Sequence, residues 1–290
     1  MAKRIFLFIL TNIAVILTLS IVAAILGVGS GIGPEGLNIQ ALAVFCLFWG
    51  MGGAFISLQM SRWIAKRATG VQLVDGRTGN HQADWLHETV ARLTRQANLP
   101  MPEVGLYDSP EVNAFATGPS KSRSLVAVST GLMRSMRQDE IEGVLAHEVS
   151  HIANGDMVTM TLLQGVMNAF VMFFARVIAY ALTRSGDSRN NNGSYYLIVI
   201  VLQVVLGILG ALIVNWFSRY REFRADHGGA TLAGRERMIG ALRRLAANHE
   251  VETQHQALAT MKINGGRSWA ALFSTHPPLE ERIAALENYR

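Results

Sequence analysis

Charged residues are scarce in this chain, and cysteine is almost absent. Only 16% of the 290 residues are Asp, Glu, Lys or Arg, whereas 50% are hydrophobic. An average soluble domain has about a quarter of its residues charged, so this deficit predicts a membrane protein. The single cysteine, Cys46, excludes an internal disulfide framework, because a disulfide needs two thiols, and it leaves the redox compartment open.

The basic residues do not indicate a nucleic-acid partner, although the formal net charge is +5. Most of them flank apolar runs, which is the pattern of a membrane protein that keeps its positive charges on the cytoplasmic side. We therefore expect a lipid bilayer, and no nucleic acid, as a partner. The sequence shows no internal repeat.

Four apolar runs are long enough to cross a membrane as helices. They predict transmembrane helices at 5–27, 39–60, 157–183 and 195–217. The first run follows a basic start, as in a signal peptide, but it is longer than a signal-peptide core, so a retained helix is favoured. Arg and Lys cluster directly after the second and fourth runs, which places both termini in the cytoplasm.

The residues outside the apolar runs predict a catalytic domain in two pieces, 64–155 and 218–290. In the first piece, the spacing of apolar residues predicts an amphipathic helix at 84–97. Three short strands are predicted at 103–107, 112–117 and 124–129. The expected fold is therefore mainly helical, with four transmembrane helices and a cytoplasmic α+β domain that contains a small sheet.

A metal-binding pattern lies at the end of the first piece. His147-Glu148-Val149-Ser150-His151 spells H-E-x-x-H, and residues four apart on a helix point to the same side. Two neutral imidazoles there can bind a divalent cation, zinc above all, at about 2.0–2.1 Å. Glu148 can then take a proton from metal-bound water. The alternative is a surface helix that carries these residues by chance, and the pentapeptide alone does not separate the two interpretations.

A catalytic zinc site needs a third protein ligand and an open position for water. The metzincin pattern requires a glycine and a histidine where this sequence has Asn154 and Met157. Glu222 can supply the ligand instead, because a predicted membrane hairpin fills most of the 71 residues that separate it from His151. Asp226, one turn later, can fix the tautomer of a ligand imidazole. Taken alone, the two acids would be a solvated pair that balances three arginines.

These motifs together resemble the HtpX family of membrane-bound zinc metalloproteases, whose catalytic domain is similar to that of the CAAX prenyl endopeptidases. The resemblance rests on the H-E-x-x-H segment, on Asp156 and on Glu222-Phe223-Arg224-Ala225-Asp226, and it includes the four spans. It implies a gluzincin-like domain with one zinc ion per chain, held by His147, His151 and Glu222. It also implies a multi-pass protein of the bacterial inner membrane with a cytoplasmic active site.

Two further segments carry the resemblance. Asn113-Ala114-Phe115-Ala116 resembles the family's edge strand, whose backbone pairs with an extended substrate. His276-Pro277 and Arg282 resemble a C-terminal motif that contacts substrate. The resemblance implies that His276 donates a hydrogen bond to the tetrahedral intermediate and that Arg282 binds substrate backbone. Without the family, Asn113 is a turn residue and His276-Pro277-Pro278 is a helix start.

The function expected from this resemblance is zinc-dependent hydrolysis of damaged or misassembled proteins, including membrane proteins, in stress-related quality control. Glu148 would take a proton from water and pass it to the leaving amine. An intramembrane protease would carry H-E-x-x-H inside an apolar span, whereas a charged stretch precedes it here. A non-catalytic, zinc-stabilised scaffold or transporter is the other alternative, but structural zinc normally has four protein ligands and only three can be named. The oligomeric state stays open.

Overall fold

The computed structural model describes residues 32–33, 36–184, 192–259 and 276–288, together with the single positions 17, 21 and 25. Apart from those three positions, the predicted helix at 5–27 lies outside the described residues. The helices are α1 (Ile39–Thr69), α2 (His81–Gln96), α3 (Thr130–Ser135), α4 (Gln138–Asn154), α5 (Asp156–Arg184), α6 (Asn192–Ala233), α7 (Arg235–Ala259) and α8 (Leu279–Glu287). The strands are β1 (Ile32–Gly33), β2 (Gly36–Leu37), β3 (Gln72–Val74), β4 (Glu103–Tyr107), β5 (Ala114–Ser120) and β6 (Arg123–Ser129).

Three of the described helices are long and apolar enough to cross a membrane. They are Ile39–Thr69, Asp156–Thr183 and Gly193–Ala233. Many of their large apolar side chains are exposed, as they are for Leu197 and Ile200 of α6, and lipid would cover such side chains. Helices α1 and α6 continue beyond the apolar runs at 39–60 and 195–217, because backbone hydrogen bonds can extend a helix into a charged sequence.

The described residues form two compact units. The first comprises the described parts of 1–59 together with 159–214, and therefore the apolar lengths of α1, α5 and α6. In this unit Gly50 of α1 lies against the backbone of α5. A Cβ atom at Gly50 would lie 2.6 Å from the backbone nitrogen of Ala169, so only glycine allows this approach. Close packing through small residues is the usual way in which membrane helices associate.

The second unit comprises 60–158 and the described parts of 215–290, and it contains a four-stranded sheet. The strand order is β3-β4-β6-β5, in which β4 and β6 are parallel and the other pairs are antiparallel. Helix α2 buries Leu86, Val90 and Leu93 in the core between sheet and helices, as its amphipathic pattern predicts. The side chain of Asn80 caps this helix by accepting hydrogen bonds from two backbone amides of the first turn.

Helix α4 is the centre of the second unit. It begins where the Glu140 side chain accepts a hydrogen bond of 2.8 Å from the Arg137 backbone amide. It ends at Gly155, whose φ of 69° is left-handed and therefore favours glycine at the C-cap. Ile141, Leu145 and Ile152 are buried along its inner face. This burial fixes the rotation of α4 and thereby the direction in which its polar residues point.

Candidate metal centre

Three side chains converge at one point of the second unit. His147 and His151 come from α4 and Glu222 comes from α6, and one ligand atom from each lies within 4.8 Å of the other two. The two Nε2 atoms are 3.1 Å apart. The Glu222 carboxylate oxygens lie 3.4 Å from Nε2 of His147 and 3.5 Å from Nε2 of His151. Two imidazoles and a carboxylate are a donor set that suits catalytic zinc.

A buried carboxylate orients each of the two imidazoles. Nδ1 of His147 lies 2.9 Å from Oδ1 of Asp226, and Nδ1 of His151 lies 2.7 Å from Oδ2 of Asp156. Each Nδ1–H can donate to its carboxylate, which leaves the Nε2 lone pair free to bind a metal. The arrangement fits a cation held by both Nε2 atoms and Glu222. Asp226 thus contacts a candidate ligand imidazole, the role that the sequence analysis proposes for it, whereas the contact of Asp156 with His151 was not predicted.

Arginines neutralise the buried carboxylates. The Arg282 guanidinium donates hydrogen bonds of 2.7 and 2.6 Å to Asp226, and Arg282 is only 6% exposed. Arg224 donates a hydrogen bond of 2.9 Å to Asp156. Because an unpaired buried charge is costly, these pairs stabilise the ionised carboxylates that hold the imidazoles. Arg282 was expected to bind substrate backbone, and its described contacts are with the candidate centre.

The site favours positive charge at the imidazole of His147. Burial alone would lower the pKa of His147, but hydrogen bonds to Asp226 and Glu222 outweigh it and raise the pKa to about 9. Burial would likewise lower the pKa of Arg282, and its hydrogen bonds to Asp226 raise it instead, so the guanidinium stays charged. A metal cation bound between the two histidines would interact with the same carboxylates that stabilise the proton on His147.

A cavity of about 160 Å³ opens beside the candidate ligands. Its lining contains most of the residues that the sequence selected, namely Asn113, Ala114, His147, Glu148, Glu222, His276 and Arg282. His276 approaches Glu222 to 3.9 Å with a side chain that is 62% exposed, so it is accessible from outside. The structure therefore brings the predicted site residues to one place, with His151 and Asp226 beside the lining residues.

Strand β5 lies at the end of the sheet where the cavity opens. Asn113 accepts a hydrogen bond of 2.9 Å from the Ser129 backbone amide at the end of β6. Alternate residues of an antiparallel strand point their backbone groups to opposite sides, so the amides of Ala114 and Ala116 point away from β6. Among the described strands, β5 has no neighbour on that side. The edge is open for pairing with another extended chain.

The sequence analysis also did not predict the apolar side of the cavity. It is lined in part by Met238, Leu242 and Leu245 of α7. A signal was present in the sequence, since these residues are four and three apart and lie on one face of a helix. The sequence could not show that this face meets α4, because the contact depends on the packing of distant segments.

Comparisons with known proteins agree with this geometry. Residues 80–290 match Peptidase family M48. The chain is 53% identical over 290 residues to "Protease HtpX" of Idiomarina loihiensis, covering 99% of this chain and 100% of that protein. It is 53% identical over 291 residues to "Protease HtpX" of Aeromonas hydrophila subsp. hydrophila, covering 98% and 99%.

Among solved structures, the crystal structure of S. mikatae Ste24p matches with a TM-score of 0.62 and 18% identity. The match covers 99% of this chain and 66% of that protein, so the chain spans somewhat less than two thirds of its length. At this identity the likeness shows the fold alone. The match over most of the chain and the 53% identity confirm the family resemblance seen in the sequence: the chain belongs to peptidase family M48 and, within it, to the HtpX family.

Proposed function

We propose that this protein uses the centre formed by His147, His151 and Glu222 to hydrolyse peptide bonds of damaged or misassembled proteins. Its family makes it a membrane-bound zinc endopeptidase. The observation that carries the proposal for the residues is the convergence of both Nε2 atoms and the Glu222 carboxylate. The buried acids that hold both Nδ1 atoms support it, since carboxylates that hydrogen-bond to the ligand imidazoles are usual at catalytic zinc.

The metal ion and the protein side chains would contribute different parts of the hydrolysis reaction. When bound, zinc polarises the scissile carbonyl and raises the acidity of a water molecule. Glu148 lies beside His147 on α4 and lines the cavity, so its carboxylate can take the proton of the attacking water. The same carboxylate then delivers the proton to the leaving amine nitrogen. His276, at the accessible rim, is proposed to donate a hydrogen bond to the tetrahedral intermediate.

Strand β5 is proposed to bind the substrate backbone. The outward amides of Ala114 and Ala116 can pair with an extended peptide, as in recognition by strand addition. Such pairing recognises the backbone of the substrate and not its side chains, so it requires an extended substrate segment. A folded protein rarely presents one, whereas a damaged or misassembled protein does. This requirement supports a role in quality control, with soluble and membrane proteins as substrates.

We further propose that the catalytic unit and both termini lie on the cytoplasmic side of a bacterial inner membrane, with four transmembrane helices. The support is the basic flank of two candidate spans, since Arg62 and Lys66 follow the apolar part of α1 and Arg219 and Arg221 follow that of α6. Positive charge next to a span is typical of its cytoplasmic end. Segment 5–27 would provide the fourth helix.

The proposed function is tested with the full-length protein in detergent and casein as substrate. We expect hydrolysis with added zinc, loss of hydrolysis with a chelator, and recovery when zinc is returned. A zinc-stabilised scaffold or transporter would bind zinc and cleave nothing. Wild-type protein that contains zinc but leaves casein intact would therefore contradict the proposal.

A further inference from the structure

Glu222 offers two carboxylate oxygens to the candidate metal centre, and both lie near a ligand imidazole. Oε2 is 3.4 Å from Nε2 of His147, and Oε1 is 3.5 Å from Nε2 of His151. The distances to the imidazoles therefore do not decide which oxygen binds a metal. Because Glu222 is only 1% exposed, neighbouring protein groups and not solvent must distinguish the two oxygens.

Arg221, the preceding residue of α6, contacts only one of these oxygens. Its Nη2 donates a hydrogen bond of 3.0 Å to Oε1 of Glu222. A hydrogen bond between two charged groups is about twice as strong as one between neutral groups. Oε2, in contrast, lies 3.8 Å from Nη1 of Arg282 and 3.9 Å from Nε2 of His276, which is beyond hydrogen-bond distance. A guanidinium therefore holds Oε1 and leaves Oε2 without a comparable bond.

The other contacts of Arg221 do not explain its position. Nε of this guanidinium is buried and has no hydrogen-bond partner among the described residues. A buried donor without an acceptor is destabilising. The hydrogen bond that the structure describes for Arg221 is the one to Glu222, so this carboxylate accounts for the position of the guanidinium.

One oxygen of Glu222 is enough for a catalytic centre. Catalytic zinc has three protein ligands and keeps a further position open for water. His147, His151 and a single oxygen of Glu222 provide three donor atoms. If the second oxygen also bound the cation, it would occupy space that the attacking water needs.

We propose that Arg221 is a positioning residue that holds Oε1 of Glu222 away from the metal, so that only Oε2 is available as a ligand atom and one position stays open. This inference rests on the proposed function and deepens it, because it assigns a residue that keeps the site suited to catalysis. The rival explanation is that Arg221 only neutralises a buried carboxylate and thereby supports metal binding. The two explanations predict opposite effects on zinc affinity.

Arg221→Met removes the guanidinium and keeps a long side chain. Oε1 then becomes available to the metal, and a positive charge beside the cation is lost, so zinc should bind at least as tightly as in the wild type. Without zinc, Glu222 keeps a buried charge with one partner fewer, so the metal-free variant should melt at a lower temperature than metal-free wild type. Zinc affinity is measured on full-length protein in detergent, by competition with a chelator.

Substitution of zinc by cobalt reports the number of donor atoms. Co²⁺ accepts the same nitrogen and oxygen donors, and its visible absorption weakens when a four-coordinate site gains a fifth donor. We therefore expect weaker absorption per bound cobalt ion in Arg221→Met than in the wild type. In the zinc-loaded variant, kcat on a peptide substrate should fall about 10–100-fold, as is typical for a residue that holds a metal ligand. KM should change little, because Arg221 does not line the cavity.

Two further variants serve as controls. Arg221→Lys retains a cationic donor and should lie closer to the wild type than Arg221→Met does, both in cobalt absorption and in kcat. Arg243→Met removes an arginine from an exposed ion pair with Glu287 on the surface. This pair is remote from the described ligand contacts, so the variant should match the wild type in zinc affinity, cobalt absorption and kcat.

The failures of the two proposals can be told apart. If Arg221→Met binds zinc more weakly than the wild type, or leaves cobalt absorption unchanged, the inference is wrong and the peptidase function stands. The same follows if Arg221→Lys is no closer to the wild type than Arg221→Met is. If wild-type protein that contains zinc cleaves neither casein nor any peptide, the proposed function fails and the inference fails with it.

Discussion

Arg282 of α8 and Asp226 of α6 form a buried pair that joins two distant parts of the chain. Two guanidinium nitrogens of Arg282 donate hydrogen bonds of 2.7 and 2.6 Å to the two carboxylate oxygens of Asp226. Oδ1 of Asp226 in turn lies 2.9 Å from Nδ1 of His147. Helix α8 thus influences His147, a candidate metal ligand on α4, through the carboxylate of Asp226.

This relationship predicts that Arg282→Gln weakens zinc binding. Without the guanidinium, Asp226 keeps a buried charge with one partner fewer and holds His147 less firmly. Since loss of such a partner typically costs about 10–100-fold in metal affinity, we expect a decrease of that size. The measurement is zinc affinity by competition with a chelator, alongside kcat and KM on a peptide.

The outcome separates two roles for Arg282. If it only binds substrate backbone, Arg282→Gln raises KM and leaves zinc affinity unchanged, and the positioning role is refuted. Arg243→Gln is the matched control, because Arg243 forms a surface ion pair with Glu287 at 2.8 Å. Exposed pairs contribute little, so this variant should bind zinc like the wild type.

Asp156→Asn should weaken the zinc site through His151. The carboxylate accepts the hydrogen bond of Nδ1 at 2.7 Å, and an amide can turn its NH₂ group towards the ring and favour the wrong tautomer. We expect about 10–100-fold weaker zinc binding in the same competition assay. Arg224→Gln removes only the half-exposed partner of Asp156 and should have a much smaller effect. Equal zinc affinity in Asp156→Asn and wild type would show that this contact does not support the site.

Glu148→Gln should separate catalysis from metal binding. Glu148 lines the cavity but does not belong to the group of converging ligand atoms, so zinc content and melting temperature should match the wild type. Hydrolysis should fall by about 10²–10⁴-fold, the usual cost of losing a general acid–base group. The measurement is casein hydrolysis with zinc content from mass spectrometry. Wild-type turnover in this variant would exclude Glu148 from proton transfer.

Local periodicity was sufficient to place the two histidines, since residues four apart on any helix share a side. The approach of Glu222 to the two histidines was expected from the predicted membrane hairpin that separates them in the chain. Strand β4 lies at the predicted 103–107, whereas β5 begins two residues after the predicted start, at Ala114. The segment before it, 112–113, leads into the sheet through a contact of Asn113 with Ser129 that no sequence pattern signals.

The contacts that the sequence did not reveal are those between charged groups far apart in the chain. Arg282 and Asp226 are 56 residues apart, and Arg224 and Asp156 are 68 apart. Charged residues are usually solvated, so the sequence alone does not indicate that these charged groups form buried pairs. Only the packing of α4, α6 and α8 around one centre makes their burial favourable. The same packing turns one face of α7 into a cavity wall.

Ala116→Pro tests the proposed pairing of substrate with β5. The Ala116 amide points away from β6, so proline removes a donor from the open edge and leaves the hydrogen bonds between β5 and β6 intact. One lost hydrogen bond of about 0.5–1.5 kcal/mol should raise KM about 2- to 12-fold with little change in zinc content. Thr117→Pro is the contrasting variant, because the Thr117 amide points towards β6 and its loss should lower the melting temperature. An unchanged KM in a stable Ala116→Pro enzyme would mean that substrate does not pair with this edge.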